Sequence, residues 1–251
     1  MSRRRVLLLE DDAQIRRFVS LVLAEVDVEL VECACVAEAV HAFEQGPVDL
    51  AICDLMLVGE TGFDLIERVR RHAPWRATRV VVFSAAIDAA DRARMEALDI
   101  WGQLAKPTAM ADLLRCVEGA LAGLPAPPAE PSPVDAVQAS PRLPSPAGEQ
   151  AAVARFFEGD RALFEAYRDS CRAQFPADVA QGDLACASAD WPAVRRLAHS
   201  LKTVLGSLGG ADLATGFAAL EASAKRAEAD AVRRQWQVLR SFLRQLATPD
   251  A

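Results

Sequence analysis

The 251-residue sequence predicts an α/β unit with a doubly wound, five-stranded parallel sheet, followed by an all-α antiparallel four-helix bundle. Three observations support this prediction. Short apolar runs alternate with amphipathic stretches up to residue 122. A proline-rich segment follows, and the rest of the chain has helical periodicity without strands. We therefore assign residues 1–122 to the first domain, 123–148 to a linker and 149–251 to the second domain.

Five apolar runs in the first domain predict β-strands that are covered on both faces. They are RVLLL at 5–9, VELVEC at 28–33, VDLAIC at 48–53, RVVVFS at 79–84 and IWGQLA at 100–105. Amphipathic stretches predict five helices, at 13–25, 36–45, 62–72, 88–98 and 109–122. In sheets of this kind, ligands bind beyond the C-terminal ends of the strands.

The segment 123–148 contains eight of the 14 prolines and almost no large apolar residue. Proline removes a backbone donor and restricts φ, so this composition indicates an extended linker. Helical periods after it fall at 150–157, 160–186, 190–208, 211–226 and 229–247. Pro176 is expected to kink or interrupt the second of these helices, and Asp190 is expected to cap the third.

Composition narrows the function classes. The formal net charge of −7 argues against a nucleic-acid-binding surface. The six cysteines form no CxxC pair and no metal-ligand spacing, which indicates reduced thiols in a cytoplasmic protein. The start, MSRRRVLLLEDD, has an apolar run too short for a signal peptide or a membrane span, so we expect no membrane association.

Charged and hydroxyl side chains follow the predicted strands of the first domain. Glu10, Asp11 and Asp12 end strand one, Asp54 follows strand three, Ser84 ends strand four and Lys106 follows strand five. All of them should lie at the same edge of a parallel sheet. Clustered carboxylates repel one another, and Mg²⁺ relieves this because it prefers carboxylate, water and phosphate oxygens. Lys106 and Ser84 would supply a charge and a hydrogen-bond donor to a phosphoryl group.

With these motifs, LLLEDDAQIRRFV, DLMLVGETGFDLI and AKP, residues 4–122 resemble the receiver domain of two-component response regulators, which has a flavodoxin-like fold. The resemblance implies that Asp54 is the phosphoacceptor and that Glu10, Asp11, Asp54 and the Met56 carbonyl bind Mg²⁺. Ser84 would be the hydroxyl switch residue and Lys106 the phosphate-binding lysine. Asp12 would occupy the next, less critical position.

Two positions depart from the receiver pattern. Val58 stands where the family usually has proline, a minor change. Gln103 replaces the aromatic switch residue three positions before the lysine, which weakens the expectation of the family's usual conformational output. Trp101 is two positions away from that site and is not assigned the switch role.

The second domain contains a single histidine, in the stretch RRLAHSLKTVLGSLGG. A helical wheel places an apolar stripe on one side: Val194, Leu197, Leu201, Val204, Leu205 and Leu208. His199 lies opposite that stripe, so we expect its imidazole to project away from the core. Arg195, Lys202 and Gly206 are predicted on the same outward side.

This stretch resembles the histidine-containing phosphotransfer (HPt) domain, whose motif is His-x-x-Lys-Gly with further glycines downstream. The resemblance implies that His199 carries a phosphoryl group and that Lys202 balances its charge. Thr203 departs from the motif because it stands where the family has glycine. No ATP-binding motif is present, so His199 would exchange phosphate only with an aspartate.

The leading hypothesis is a phosphorelay protein that receives phosphate on Asp54 from a sensor histidine kinase and exchanges it between His199 and receiver aspartates. Its phosphorylation would be self-catalysed, without kinase activity. The alternative is a phosphorylation-regulated module that binds a kinase or regulator without carrying phosphohistidine. A phosphatase is disfavoured because Met56 stands where a second aspartate would be needed, and a DNA-binding regulator is disfavoured by the zero net charge of the second domain. The cognate kinase, the direction of phosphate flow and the oligomeric state stay open.

Overall fold

The computed structural model describes residues 3–85, 87, 89–125 and 141–248. The chain divides into two compact units, Met1–Pro133 and Val134–Ala251. Residues 126–140, most of the predicted linker, lie outside the described residues, as does Asp88 at the start of one predicted helix. Among the described residues, none of the helices combines the length and hydrophobicity needed to cross a membrane.

The first unit alternates strands and helices, as the apolar pattern predicts. Its strands are β1 (Arg4–Leu9), β2 (Val28–Cys33), β3 (Leu50–Cys53), β4 (Arg79–Ser84) and β5 (Gly102–Ala105). Its helices are α1 (Ala13–Leu23), α2 (Val36–Glu44), α3 (Gly62–Arg71), α4 (Ala89–Ala97) and α5 (Met110–Ala122), with a 3₁₀ turn at Ala73–Trp75. The third and fifth strands are two residues shorter at their start than predicted.

All strand pairs are parallel and the order is β2-β1-β3-β4-β5. Alternate residues of the sheet face opposite layers of helices. One core joins Leu7, Leu9, Ala51 and Val80 to buried side chains of α2, α3 and α4. Helices α1 and α5 contact each other and cover the opposite face. The order of the strands reverses beside β1, so the C-terminal ends of β1 and β3 form the crevice where such sheets bind ligands.

The second unit is helical. Its helices are α6 (Pro146–Phe156), α7 (Arg161–Ala187), α8 (Trp191–Ser207), α9 (Ala211–Lys225) and α10 (Ala229–Ala247). Helix α8 packs against α7 and α9, and α10 packs against α7 and α9. The buried Trp236 of α10 lies over Gly182 of α7, where an added Cβ would come within 2.1 Å of the indole.

Two predictions about helix boundaries need correction. Helix α7 is continuous through Pro176, so the proline does not interrupt it, and buried residues lie on both sides of the proline. Helix α6 begins at Pro146, inside the predicted linker, and Gly148 packs against Gly209 at the turn after α8. The residues just before and at the start of α6 therefore belong to the helical unit. The predicted cap is present: Asp190 accepts a 3.0 Å hydrogen bond from the Ala193 N–H.

Candidate functional site

The C-terminal ends of β1, β3 and β5 bring together four charged side chains. Glu10 and Asp54 are 1% and 2% exposed, Lys106 is 4% exposed, and Asp11 is half-buried. Carboxylate oxygens of Glu10, Asp11 and Asp54 lie within 4.8 Å of one another. We call these four residues the acidic pocket. With all four ionised it carries two net negative charges, which matches a divalent cation.

Lys106 connects two of the carboxylates. Its Nζ lies 2.9 Å from Asp54 Oδ2 and donates a short hydrogen bond to Glu10 Oε2. The ammonium also lies over the Phe83 ring, 4.8 Å from its centroid. Burial by itself would lower the pKa of Lys106, but the Asp54 and Glu10 carboxylates outweigh burial and raise it. The lysine therefore stays charged although its side chain is fully buried.

The surroundings of Glu10 and Asp11, in contrast, disfavour the ionised form of each side chain. Burial raises the pKa of Glu10 well above its usual range, and Asp54 and Asp12 add to this despite the opposing effect of Lys106. Burial and the neighbouring Asp54 carboxylate also raise the pKa of Asp11. Burial is the largest cause of both shifts, and the neighbouring carboxylates add to it.

The backbone around Asp54 explains how the side chain is aimed. The Asp54 N–H donates to the Leu9 carbonyl at 2.9 Å, which extends the β1–β3 pairing by one residue. Asp54 Oδ1 accepts a 3.1 Å hydrogen bond from the Met56 N–H, and Met56 pairs with Thr61 across the following loop. Gly62 begins α3 so close to Asp54 that an added Cβ would lie 2.0 Å from the Asp54 carbonyl oxygen.

Ser84 and Asp12 also lie at this edge, in different roles. Ser84 is buried at the end of β4, and its carbonyl accepts a 3.1 Å hydrogen bond from the Lys106 N–H. Asp12 is the N-cap of α1, because its Oδ1 accepts from the Gln14 and Ile15 amides at 2.7 and 2.8 Å. The carboxylate that caps a helix is therefore Asp12, which leaves Glu10 and Asp11 for the pocket.

Gln103 and Trp101 occupy β5 and the residue before it. Gln103 is half-buried in the strand. The Trp101 indole donates a 3.1 Å hydrogen bond to the Leu124 carbonyl just beyond α5, which ties the ring to the end of that helix.

Comparison with known proteins identifies the first unit. Residues 6–118 match the family model of the response regulator receiver domain. This part of the chain is therefore a response regulator receiver domain. The receiver domain thus accounts for the strand order and for an acidic pocket at the carboxyl edge of the sheet.

Several curated proteins resemble the receiver domain. Phosphate regulon transcriptional regulatory protein PhoB of Klebsiella pneumoniae is 35% identical over 91 residues, covering 36% of this chain and 40% of that protein. Probable transcriptional regulator ycf29 of Cyanophora paradoxa is 26% identical over 116 residues, covering 46% and 55% respectively. Response regulator protein PilR of Pseudomonas aeruginosa is 29% identical over 136 residues, covering 54% and 30%. The aligned regions span roughly half or less of these relatives.

Among solved structures, Vibrio cholerae chemotaxis protein CheY4 matches with a TM-score of 0.46 and 24% identity, covering 48% of this chain and all of that one. A putative response regulator from Chloroflexus aurantiacus matches with a TM-score of 0.45 and 26% identity, covering 48% and 99%.

His199 of the helical unit does not lie where the sequence predicts. The residue is 4% exposed, so the prediction that its imidazole projects into solvent is wrong. Arg195, Lys202 and Gly206, predicted on the same outward side, are half-buried, and none of residues 193–210 is exposed. A helical wheel assigns one buried face, whereas α8 is covered on more than the face that carries its apolar stripe.

The contacts of His199 define a second polar cluster, formed by His199, Lys202 and Glu221. The Glu221 carboxylate of α9 contacts both of the other side chains. Its Oε1 lies 2.8 Å from His199 Nδ1, and its Oε2 accepts a 2.7 Å hydrogen bond from Lys202 Nζ. Burial by itself would raise the pKa of Glu221, but His199 and Lys202 together lower it to about 2. We call these three residues the α8–α9 cluster.

The two ring nitrogens of His199 have different surroundings. Nδ1 faces the Glu221 carboxylate, which favours a proton on that nitrogen. Nε2 is buried and has no hydrogen-bond partner among the described residues. Thr203, which replaces the glycine of the HPt motif, is also buried, and its hydroxyl donates to the His199 carbonyl at 3.3 Å.

Glu221 is the residue of this cluster that sequence reasoning missed. A usable signal existed in the α8–α9 hairpin, whose turn lies at Gly209 and Gly210. His199 precedes this turn by about as many residues as Glu221 follows it, and antiparallel helices bring such positions to the same height. That count predicts a contact once the two helices are assumed to pack side by side.

Proposed function

We propose that the chain is a two-component phosphorelay protein in which Asp54 accepts a phosphoryl group from a phosphohistidine donor. The observation that carries this proposal is the buried Lys106 ammonium 2.9 Å from Asp54, beside two further carboxylates. Asp54 Oδ would attack phosphorus, the donor imidazole would leave, and Lys106 would stabilise the charge on the transferred oxygens. Ser84, at the end of the neighbouring strand, would donate a further hydrogen bond to them.

The acidic pocket fits a magnesium ion. Its donors are hard carboxylate oxygens within 4.8 Å of one another, and Lys106 alone balances only part of their charge, so a divalent cation would neutralise the rest. Glu10, Asp11 and Asp54 would hold Mg²⁺, together with the Met56 carbonyl implied by the receiver resemblance. When bound, the ion would neutralise developing charge on the phosphoryl oxygens.

A matched pair of variants tests the phosphoacceptor. The full chain is incubated with acetyl phosphate and magnesium, and intact mass is measured for wild type, Asp54→Asn and Asp27→Asn. Asp27 is a strongly exposed aspartate that forms an ion pair with the exposed Arg3, so its substitution should leave the added phosphoryl mass unchanged. Asp54→Asn should remove it. Equal labelling of Asp54→Asn and wild type would exclude Asp54 as the acceptor.

We further propose that the helical unit is an HPt-type four-helix bundle and that His199 exchanges phosphate with receiver aspartates. Two features of the α8–α9 cluster support this role. Glu221 holds Nδ1, which leaves the lone pair of Nε2 for attack on phosphorus. Lys202, which pairs with the same Glu221 carboxylate, would balance phosphate charge. Because Nε2 is buried, transfer to another protein requires that this nitrogen become exposed first.

The burial of His199 is also the observation that favours the alternative function. A regulated module that docks a kinase or regulator would need no accessible imidazole, and the 4% exposure of His199 suits it. The two functions differ in one chemical product. Radiolabelled phosphate from a phosphorylated partner should yield acid-labile phosphohistidine in the wild type and none in His199→Gln. If no partner that labels Asp54 yields phosphohistidine, phosphotransfer through His199 is excluded and the docking function remains.

A further inference from the structure

The loop between β1 and α1 contains a contact that connects the first helix to the acidic pocket. The Arg16 guanidinium of α1 donates a 2.6 Å hydrogen bond from Nη1 to the Glu10 carbonyl oxygen. That carbonyl belongs to the peptide bond joining Glu10 to Asp11. Arg16 therefore contacts the single peptide plane that lies between two proposed cation ligands.

The other polar groups of Glu10 are held as well. Its N–H donates to the Cys33 carbonyl at 3.0 Å, which fixes the residue against β2. Its carboxylate receives Lys106 on one oxygen and the Asp12 N–H, at 3.4 Å, on the other. The Arg16 bond completes this set and restrains the direction in which the chain, and with it the Asp11 side chain, leaves Glu10.

We propose that Arg16 is a positioning residue for the cation pocket, holding the Glu10–Asp11 peptide so that both carboxylates face one ion. This inference rests on the proposed function, since it assigns Arg16 to the magnesium site. Arg16 contacts the pocket through a backbone oxygen, so its contribution is to orient the two carboxylates.

Electrostatics and positioning predict opposite outcomes when Arg16 is replaced. A positive charge beside a cation site repels the cation, so removing it by Coulomb's law alone should strengthen magnesium binding. If Arg16 positions the ligands, removing it should weaken binding. Substitution of residues that orient metal ligands typically costs about 10- to 100-fold in affinity. The sign of the change therefore separates the two roles.

The test uses the full chain titrated with magnesium chloride by isothermal titration calorimetry. Arg16→Gln should bind magnesium about tenfold more weakly than wild type or worse. The control is Arg17→Gln, the same substitution at the next residue of α1, whose side chain is exposed. Arg17→Gln should bind as tightly as wild type or slightly more tightly. Magnesium affinity of Arg16→Gln equal to or above that of wild type would overturn the proposal.

A second pair guards against loss of the fold in Arg16→Gln. Arg16→Lys and Arg16→Met both keep an aliphatic stem, but only lysine keeps a donor for the Glu10 carbonyl. Positioning predicts tighter magnesium binding by the lysine variant, and repulsion predicts tighter binding by the methionine variant. If the wild type itself binds no magnesium, the proposed cation site fails. If the wild type binds magnesium but Arg16→Met binds it more tightly than Arg16→Lys, the positioning role of Arg16 is refuted and the proposed cation site stands.

Discussion

At the scale of single residues, each polar cluster places one ionised group between two polar partners. In the acidic pocket the Lys106 ammonium lies between the Glu10 and Asp54 carboxylates. In the α8–α9 cluster the Glu221 carboxylate lies between His199 and Lys202. Lys106 orients Asp54, and Glu221 orients His199. A shorter side chain at position 106 or 221 would break the contact.

Replacing Glu221 should make the chain less stable at neutral pH and less sensitive to acid. The pKa of Glu221 is lowered to about 2, so its ionised form stabilises the fold above the unfolded value, and this stability is lost as pH falls through 4.5 towards 2. Glu221→Gln should therefore lose at most about 3 kcal/mol at pH 7, since one pKa unit is worth about 1.4 kcal/mol. Urea unfolding at several pH values measures this.

The control for Glu221→Gln is Glu165→Gln on α7. Glu165 forms an exposed ion pair with Arg161 and should change stability by less than about 0.5 kcal/mol. If Glu221→Gln loses no more stability than this control at pH 7, the α8–α9 cluster does not hold the two helices together.

At the scale of secondary-structure elements, close backbone contacts set where each cluster can form. The start of α3 approaches the end of β3 so closely that residue 62 has to be glycine. The turn between α8 and α9 depends on Gly209, whose φ of +81° suits glycine and which packs against Gly148. Both contacts determine the height at which neighbouring elements present their polar side chains.

Gly62→Ala should disturb the receiver domain and slow the phosphorylation of Asp54. Its Cβ would lie 2.0 Å from the Asp54 carbonyl oxygen, so α3 or the phosphoacceptor must move. Overpacking of this kind typically costs about 1–3 kcal/mol. Thermal unfolding and the rate of labelling by acetyl phosphate are the two measurements.

Gly119→Ala provides the contrast within the same domain. Gly119 lies in α5, and the nearest atom to its added Cβ is a Trp101 carbon at 3.7 Å, an ordinary contact. Removing a glycine from a helix interior should stabilise the domain by up to about 1 kcal/mol. Equal effects of the two substitutions would show that the approach of α3 to Asp54 is not close in solution.

At the scale of the whole molecule, each unit has its own buried core, and cysteines are distributed through both. Cys33, Cys53 and Cys116 are buried in the receiver domain, and Cys171 and Cys186 are buried in the helical unit. All of them are free thiols. Cys35, at the start of α2, is only partly buried.

The thiols should therefore report the folded state of both units. Burial raises the pKa of Cys33 to about 11 and those of Cys53 and Cys116 to about 12, so little reactive thiolate is present at neutral pH. The native chain should react quickly with Ellman's reagent only at Cys35, and all six cysteines should react in guanidinium chloride. Rapid reaction at Cys171 or Cys186 in the native chain would contradict the packing of the helical unit.

The order of the elements and the acidic pocket follow from the sequence. Apolar runs mark strands buried on both faces, and the carboxyl ends of parallel strands must lie at one edge of the sheet. Residues that follow separate strands, such as Glu10, Asp54 and Lys106, therefore meet even though they are far apart in the chain. The tertiary structure shows that Asp12 caps α1. The sequence alone does not distinguish which of the three adjacent acidic residues has this role.

The surroundings of His199 were decided only by the tertiary structure. Helical periodicity ranks positions around one helix, but burial depends on every element that packs against it. Helical periodicity also cannot show which residue of α9 faces the His199 imidazole, because this depends on the relative height and rotation of the two helices. The sequence by itself thus determined the sheet and its charged edge, whereas packing between helices decided the partner of His199 and the burial of Nε2.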